Sequence, residues 1–288
     1  MHVFAVGIVA AAQNDRIHKL GKEGMVTSRA VKAVKQSKSK KEEQEKASVY
    51  HFPIKGGVIK RELKRPTTKV SFKIARPIVE RLLRCFIRFE VTGKENLPSS
   101  GPVIVVFNHL HLLDPPLHII GMLPRDIIIM AKEELFFYWP MPVNRILMDI
   151  AEAYPVRRLG TPEERQKAVT YANEVLKRGI LFGIYPEGTR SKAGHLKEAY
   201  HGCAQIAWRT GVPLIPVTIR GTEKLRGSGW LKRPKVTITI GKPFTLPLCK
   251  GEPTEAQLKE WTELIMCHLA AYLPPEYHGR YKPIEPCT

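Results

Sequence analysis

The spacing of apolar residues changes along this chain, and each spacing predicts an element. Between positions 70 and 89, Val70, Ile74, Ile78, Leu82 and Phe86 recur every fourth residue, and Phe72, Val79, Leu83 and Ile87 widen the stripe. That period belongs to one face of a helix, so an amphipathic helix is expected, open to a kink at Pro77. Short apolar runs follow: PVIVVFN (102–108), DIIIMA (126–131), ILFGIYP (180–186), PLIPVTIR (213–220) and KVTITIG (235–241). They read as buried strands. Helix signals separate them. Asp114 reads as a cap with Pro115 at the first helical position, and Thr161-Pro162-Glu163-Glu164 is a capping box whose helix runs to Gly179. A helix from about Tyr200 to Thr210 stops at Gly211, and Thr254 with Gln257 opens a last amphipathic helix reaching about Leu273. Strands alternating with helices predict an α/β domain: a largely parallel central sheet flanked by helices.

Before position 67 this patterning fails. From Arg29 to Arg65 there are twelve Lys or Arg, four Glu and few large apolar residues. Such a stretch buries too little apolar surface to offset its ordering entropy, so residues 1–66 are expected to be a disordered basic tail. The opening MHVFAVGIVAAA lacks the basic flank of a secretory signal and reads as a frayed start or a membrane-touching tip. The whole chain of 288 residues carries 46 Lys plus Arg against 27 acids, net +19. That excess points to anionic partners rather than to a fold. Lys73, Arg76, Arg81, Arg84 and Arg88 fall among the apolar positions of the 70–89 stripe, which favours a membrane-interfacial helix; a core-facing helix gives the same pattern. No apolar run reaches the ~18–20 residues of a spanning helix, so the chain is expected to lie on a membrane rather than cross it. The domain reading is a tail at 1–66, a membrane-associating helical segment at 67–92 and a catalytic domain at 93–288. Five unpatterned cysteines fit a reducing compartment.

Phosphate-loop, dinucleotide and zinc-protease motifs are missing, and Ser228 lacks the spacing of a nucleophile elbow. Two unusual loops remain. The first, Asn108-His109-Leu110-His111-Leu112-Leu113-Asp114, joins a strand to a helix. On a tight loop the Asp114 carboxylate can accept from one ring nitrogen of His109 and leave the other free to take a proton. This is a base and its orienting acid with no nucleophile, so the nucleophile would be a substrate hydroxyl. His111 is a rival base, and a plain cap with packed histidines is the dull alternative. The second loop, Tyr185-Pro186-Glu187-Gly188-Thr189-Arg190-Ser191, follows a buried strand at the end where open α/β sheets bind ligands. Gly188 lets backbone approach a ligand, and Arg190 offers a fork suited to phosphate.

Taken together, HxxxxD after one strand and PEGTR after another resemble the glycerolipid acyltransferases, above all the 1-acylglycerol-3-phosphate acyltransferases. The resemblance covers about residues 70–250 in four blocks: Asn108-His109 to Asp114, Tyr154-Pro155-Val156-Arg157-Arg158, Tyr185 to Ser191, and Val212 to Val217. Lys132-Glu133-Glu134-Leu135 resembles the lysine-bearing segment between the first two. The resemblance implies that His109 is the general base on the acceptor hydroxyl and Asp114 its partner. It implies that Arg190, Lys132 and Arg158 hold the acceptor phosphate, and that Glu187, Gly188 and Thr189 shape the acceptor pocket. It implies attack on an acyl thioester, acyl-CoA or acyl-carrier protein, without an acyl-enzyme, a metal or another cofactor. The product would be phosphatidic acid and the partners a lysophospholipid, the thioester donor and a membrane surface, at the cytoplasmic face of a membrane.

Two positions depart from the family pattern. Arg157 stands where an acid is common, and Tyr200-His201-Gly202 replaces Phe-Lys before the glycine, with Lys197 one turn earlier as a substitute. Phe136, Phe137, Tyr138 and Trp139 could serve either a lipid interface or a core. Another acceptor within the family, such as glycerol-3-phosphate or a lyso-amino lipid, and a non-enzymatic binder of anionic membranes or nucleic acid are the competing readings.

Overall fold

The catalytic edge of the molecule is set by a seven-stranded sheet in a computed structural model that describes residues 49–54, 57–62, 70–132, 153–156, 161–249 and 251–284. Strands β1 (Val49–Ile54) and β2 (Gly57–Glu62) form a small two-stranded sheet of their own. The expectation of a disordered tail through residue 66 is corrected for these segments. Tyr50, Phe52 and Ile54 alternate at strand period, and Lys55-Gly56 stands between the two segments, a local β signal that the composition argument averaged away. Residues His51–Thr288 group as one compact unit, and all that follows concerns it.

Helix α1 (Val70–Phe86) runs through Pro77. Its stripe is left open: Ile74, Ile78, Leu82 and Phe86 are 59, 55, 56 and 42% exposed, while Leu83 packs against the core beside buried Ile87. The helix then stops short of its expected end. Arg88–Thr92 forms strand β3, whose Phe89 and Val91 turn inward in alternation. It pairs parallel with β9 (Lys235–Ile240), Arg88 against Lys235 through Thr92 against Thr239. The expected 67–92 helical segment is corrected accordingly, and the catalytic sheet begins at Arg88.

Strands β4 (Ile104–Phe107), β5 (Ile127–Lys132), β6 (Tyr154–Val156), β7 (Leu181–Ile184) and β8 (Leu214–Arg220) complete the sheet in the order β3-β9-β8-β4-β7-β5-β6. All neighbours are parallel except β8 and β9. The largely parallel sheet expected from the alternation is thus what forms. β4 and β7 are buried along their whole length, as parallel strands covered on both faces must be. Helix α2 (Asp114–Gly121) adds Leu117 to one core face, where Val103, Val105, Phe107, Ile215 and Ile238 gather. Helices α3 (Pro162–Lys177), α4 (Gly202–Thr210) and α5 (Glu255–Ala270) pack in series, α3 on α4 and α4 on α5. Both expected capping boxes form: Thr161 with Glu164, and Thr254 with Gln257. Gly211 closes α4 in the left-handed conformation.

The antiparallel pairing of β8 with β9 has a consequence for the site. Because β9 runs opposite to β8, and β3 runs with β9, the starts of β3 and β9 lie at the same edge as the ends of β4, β5, β7 and β8.

Candidate active site

The polypeptide leaves β4 at Asn108, whose buried side-chain amide is clamped to β8. Its Nδ2 donates to the Ile219 carbonyl (2.9 Å) and its Oδ1 accepts from the Ile219 amide (2.8 Å). These bonds extend the β4–β8 ladder by one step through a side chain and fix where the next residue, His109, emerges. Two buried bonds of this kind contribute roughly 1–3 kcal/mol together.

His109 and Asp114 meet. His109 Nδ1 lies 2.9 Å from Asp114 Oδ2, and the same oxygen accepts the backbone N–H of Leu110 (2.6 Å) and of His111 (2.7 Å). A carboxylate can only accept, so Nδ1 carries the proton and Nε2 the lone pair. Burial alone would push the Asp114 carboxyl up. Its bond and electrostatic attraction to His109, with the His111 amide, outweigh that and hold it below the ordinary carboxylate value. Asp114 is not the side-chain cap that the sequence suggested; it is the first helical residue, with Leu113 before it and no side-chain cap bond. The reason lies in the next two residues. Pro115 and Pro116 have no N–H, and the next amide, that of Leu117, donates to the Leu113 carbonyl (3.2 Å), so the carboxylate is left to turn back onto the loop. His111, the rival base, has its Nδ1 accepting from the Leu113 amide at 3.3 Å. Burial lowers its pKa against the pull of Asp114, with Arg190 and Arg226 adding to the depression.

The second loop closes on the first. Gly188 takes a left-handed φ of 59° in a turn held by its amide on the Tyr185 carbonyl. The Ser191 amide donates to the His109 carbonyl at 2.7 Å. Glu187 is buried, and backbone amides engage both of its carboxylate oxygens. Oε1 accepts the His109 amide (3.1 Å) and Oε2 the Lys197 amide (2.9 Å), buckling the two loops together. Burial pushes Glu187 up to about 7, against those two donors. Between its ordinary value of 4.5 and about 7, the folded chain holds this proton and the unfolded chain has lost it. The stabilisation is therefore complete below the lower value and is lost as pH rises through the upper. Relative to Glu187→Gln, wild type should lose on the order of 3 kcal/mol of unfolding free energy across that window. Denaturant melts at several pH values measure this, and a pH-independent difference would contradict it.

Three participants had no role in the sequence reading. Tyr185 packs its ring 4.5 Å from the His109 ring, and its hydroxyl bonds His118 Nδ1 at 2.8 Å. His118 stacks on Phe107 at 4.0 Å, and burial lowers it to about 3, so it stays neutral. Its one sequence signal is position: it lies one turn after Asp114 on the same helix. Gly183 permits the stack, since a Cβ there would come within 2.8 Å of the Phe107 ring. Arg226 ties the loops from outside, donating to the carbonyls of Lys192 (2.7 Å), Ser191 (2.9 Å) and Leu110 (3.3 Å). No motif marks it.

Of the remaining expected site residues, Arg190 is exposed at the mouth, near enough to His111 to bias its charge, and Thr189 is half-buried beside it. Lys132 ends β5 at the same sheet edge. β6 brings the second block as far as Val156, opposite Lys132. Arg157 and Arg158, Glu133 to Leu135, and the Phe136–Trp139 aromatics lie outside the described residues.

The assembled site can take a proton from a hydroxyl but offers no activated nucleophile among the described residues. Ser191 Oγ is buried without a hydrogen-bond partner, and burial pushes the Cys203 thiol up to about 12. Comparison with known proteins agrees in kind. The profile of the family described as Acyltransferase matches residues 88–220, beginning where β3 begins. The chain is 33% identical over 163 residues to the chloroplastic 1-acyl-sn-glycerol-3-phosphate acyltransferase BAT2 of Brassica napus, covering 55% of this chain and 46% of that one. It is 30% identical over 178 residues to the 1-acyl-sn-glycerol-3-phosphate acyltransferase of Bacillus subtilis, covering 61% of this chain and 83% of that one. The crystal structure of the 1-acyl-sn-glycerophosphate acyltransferase PlsC from Thermotoga maritima aligns with 29% identity and a TM-score of 0.46, over 69% of this chain and 81% of that one. The chain thus spans about half the length of the plant relative and most of the Bacillus one. At 30% identity over 83% of the Bacillus enzyme's length, and with the family profile matching residues 88–220, the chain belongs to the acyltransferase family that includes the 1-acyl-sn-glycerol-3-phosphate acyltransferases.

Proposed function

We propose that this protein transfers an acyl group from an acyl thioester to the 2-hydroxyl of 1-acylglycerol-3-phosphate, forming phosphatidic acid. The observation that carries the reading is the His109 Nδ1–Asp114 Oδ2 bond of 2.9 Å, which leaves Nε2 as a base on a ring 17% exposed at the sheet edge. In the reaction Nε2 takes the hydroxyl proton while the oxygen attacks the thioester carbonyl. The tetrahedral adduct then collapses, the C–S bond breaks, and the imidazolium returns its proton to the departing thiolate. Asp114 stabilises the transient imidazolium. No cofactor beyond the thioester cosubstrate enters this scheme. Arg190, with Lys132 and Arg158, holds the acceptor phosphate, and the relatives named for this activity support the choice of acceptor.

The acceptor lives in a bilayer, and the exposed stripe Ile74, Ile78, Leu82 and Phe86 suits peripheral docking to it. No helix among the described residues is long and apolar enough to cross a membrane.

Purified protein given acyl-CoA and 1-acylglycerol-3-phosphate should release free thiol in proportion to phosphatidic acid. Thiol release without that acceptor, or with another one preferred, would reject the reading. Arg190→Ala should raise the acceptor KM about 10- to 100-fold with a smaller effect on kcat, as expected for losing a charge-assisted phosphate contact. An unchanged acceptor KM would remove Arg190 from the phosphate site.

A further inference from the structure

A second cationic feature shares the catalytic edge and takes no part in the chemistry above. Where β3 and β9 begin, a groove of about 550 Å³ opens. Ile87 and Phe89 line it together with Arg84, Arg88, Arg233, Lys235 and one acid, Glu90. Lys235 is paired with Glu90 at 2.6 Å. The other three cations have no carboxylate partner among the described residues. They are laced to each other's backbones instead: Arg88 Nε donates to the Arg233 carbonyl (3.2 Å), and Arg233 Nη2 donates to the Arg84 carbonyl (2.8 Å). Arg233 does this from a left-handed backbone, φ 45°, that a non-glycine residue adopts at a cost. Three like charges are thus gathered beside Ile87 and Phe89 without a counter-charge of their own, an arrangement completed by an anion.

The rim says which kind of anion. The Phe86 ring meets the Trp230 ring edge-on at 5.4 Å, and both are exposed. Leu231 beside them is 65% exposed. This rim continues the open stripe of α1 at Phe86, so exposed apolar side chains stand next to the cations. A free anion has no use for that rim, whereas a phospholipid has a phosphate for the groove and chains for the rim. We propose that the groove binds the headgroup of a net-anionic bilayer phospholipid other than the reacting acceptor, and so presses the edge carrying His109 against the membrane. The proposal rests on the membrane-docked reading of the function but not on turnover.

Vesicle flotation without thioester or acceptor tests it, using phosphatidylcholine vesicles with and without phosphatidylglycerol. Wild type should partition more strongly onto the anionic vesicles. Arg84→Gln/Arg88→Gln should weaken that partitioning by more than about 30-fold, the loss expected for two charges that merely lie near an anionic leaflet. Both side chains are exposed, so the variant should keep the wild-type melting temperature, and its transfer rate on detergent-dispersed acceptor should not change. Arg76→Gln/Arg81→Gln removes the same charge from α1 outside the groove and should cost clearly less. Equal losses in the two double variants would mean diffuse attraction and overturn the site. So would a wild type indifferent to phosphatidylglycerol, or one that binds inorganic phosphate by calorimetry with no vesicle preference. Because thiol release is not read in the flotation assay, a failed transferase assignment and a failed lipid site are seen separately.

Discussion

His109→Ala should lose about 10²- to 10⁴-fold in kcat while keeping its fold, the range that removal of a general base produces. The reacting oxygen would then have to give its proton to water, and no other group among the described residues is placed to substitute. His111 is close, but its Nδ1 already accepts the Leu113 amide and burial depresses its basicity. The fold should tolerate the change because the imidazole is not what keeps Asp114 satisfied: Oδ2 still accepts the Leu110 and His111 amides. The lost contact with the Tyr185 ring costs about 1 kcal/mol. Thiol release under saturating substrates and a thermal melt on the same preparation give both numbers. Wild-type turnover in a folded His109→Ala protein would end the general-base assignment.

The parts of the fold legible in the sequence are those with one strong local signal. β4, β7 and β8 are short runs buried on both faces, and Thr161 and Thr254 announce their helices through reciprocal bonds made within one turn. β3 was not legible. Ile87 and Phe89 extend the apolar stripe of α1 in sequence, and only the open side of β9 turns those residues into a strand. The site divides the same way. His109, Asp114 and the Glu187–Arg190 loop stand out because charged and imidazole groups at strand ends are unusual. The groups that set their geometry do not. Arg226 acts through three carbonyls far away in sequence, and the His118–Tyr185 bond joins a helix to a loop beyond β7. The sequence offers Asp114 two roles, helix cap and partner of His109, and only the geometry separates them: the Leu117 amide it would cap donates to the Leu113 carbonyl instead.

Asp114→Asn should be nearly as damaging to turnover as loss of the imidazole, about 10²- to 10⁴-fold in kcat, and also destabilising. Asp114 Oδ2 receives three N–H donors at once, while Oδ1 is buried with no partner. An asparagine has two orientations there. With its carbonyl in the Oδ2 place, the contacts survive without their charge, and two amide protons enter the buried Oδ1 position with nothing to receive them. With the amide turned the other way, donors face donors, and His109 can keep a bond only by offering a bare Nδ1. Its proton then sits on Nε2, where the base is needed. Either outcome removes the carboxylate that balances the imidazolium, and an unsatisfied buried amide adds roughly 1–3 kcal/mol of instability. The pH dependence separates this from simple unfolding. The Asp114 pKa is lowered on folding, so its stabilisation is present above the ordinary value of 3.8 and fades as pH falls below it. The stability gap between wild type and Asp114→Asn should be constant near neutrality and close in acid, while the kcat deficit stays large throughout the neutral range. A variant that matched wild-type kcat at neutral pH would leave the carboxylate a structural clamp for the Leu110 and His111 amides, with no part in orienting the base.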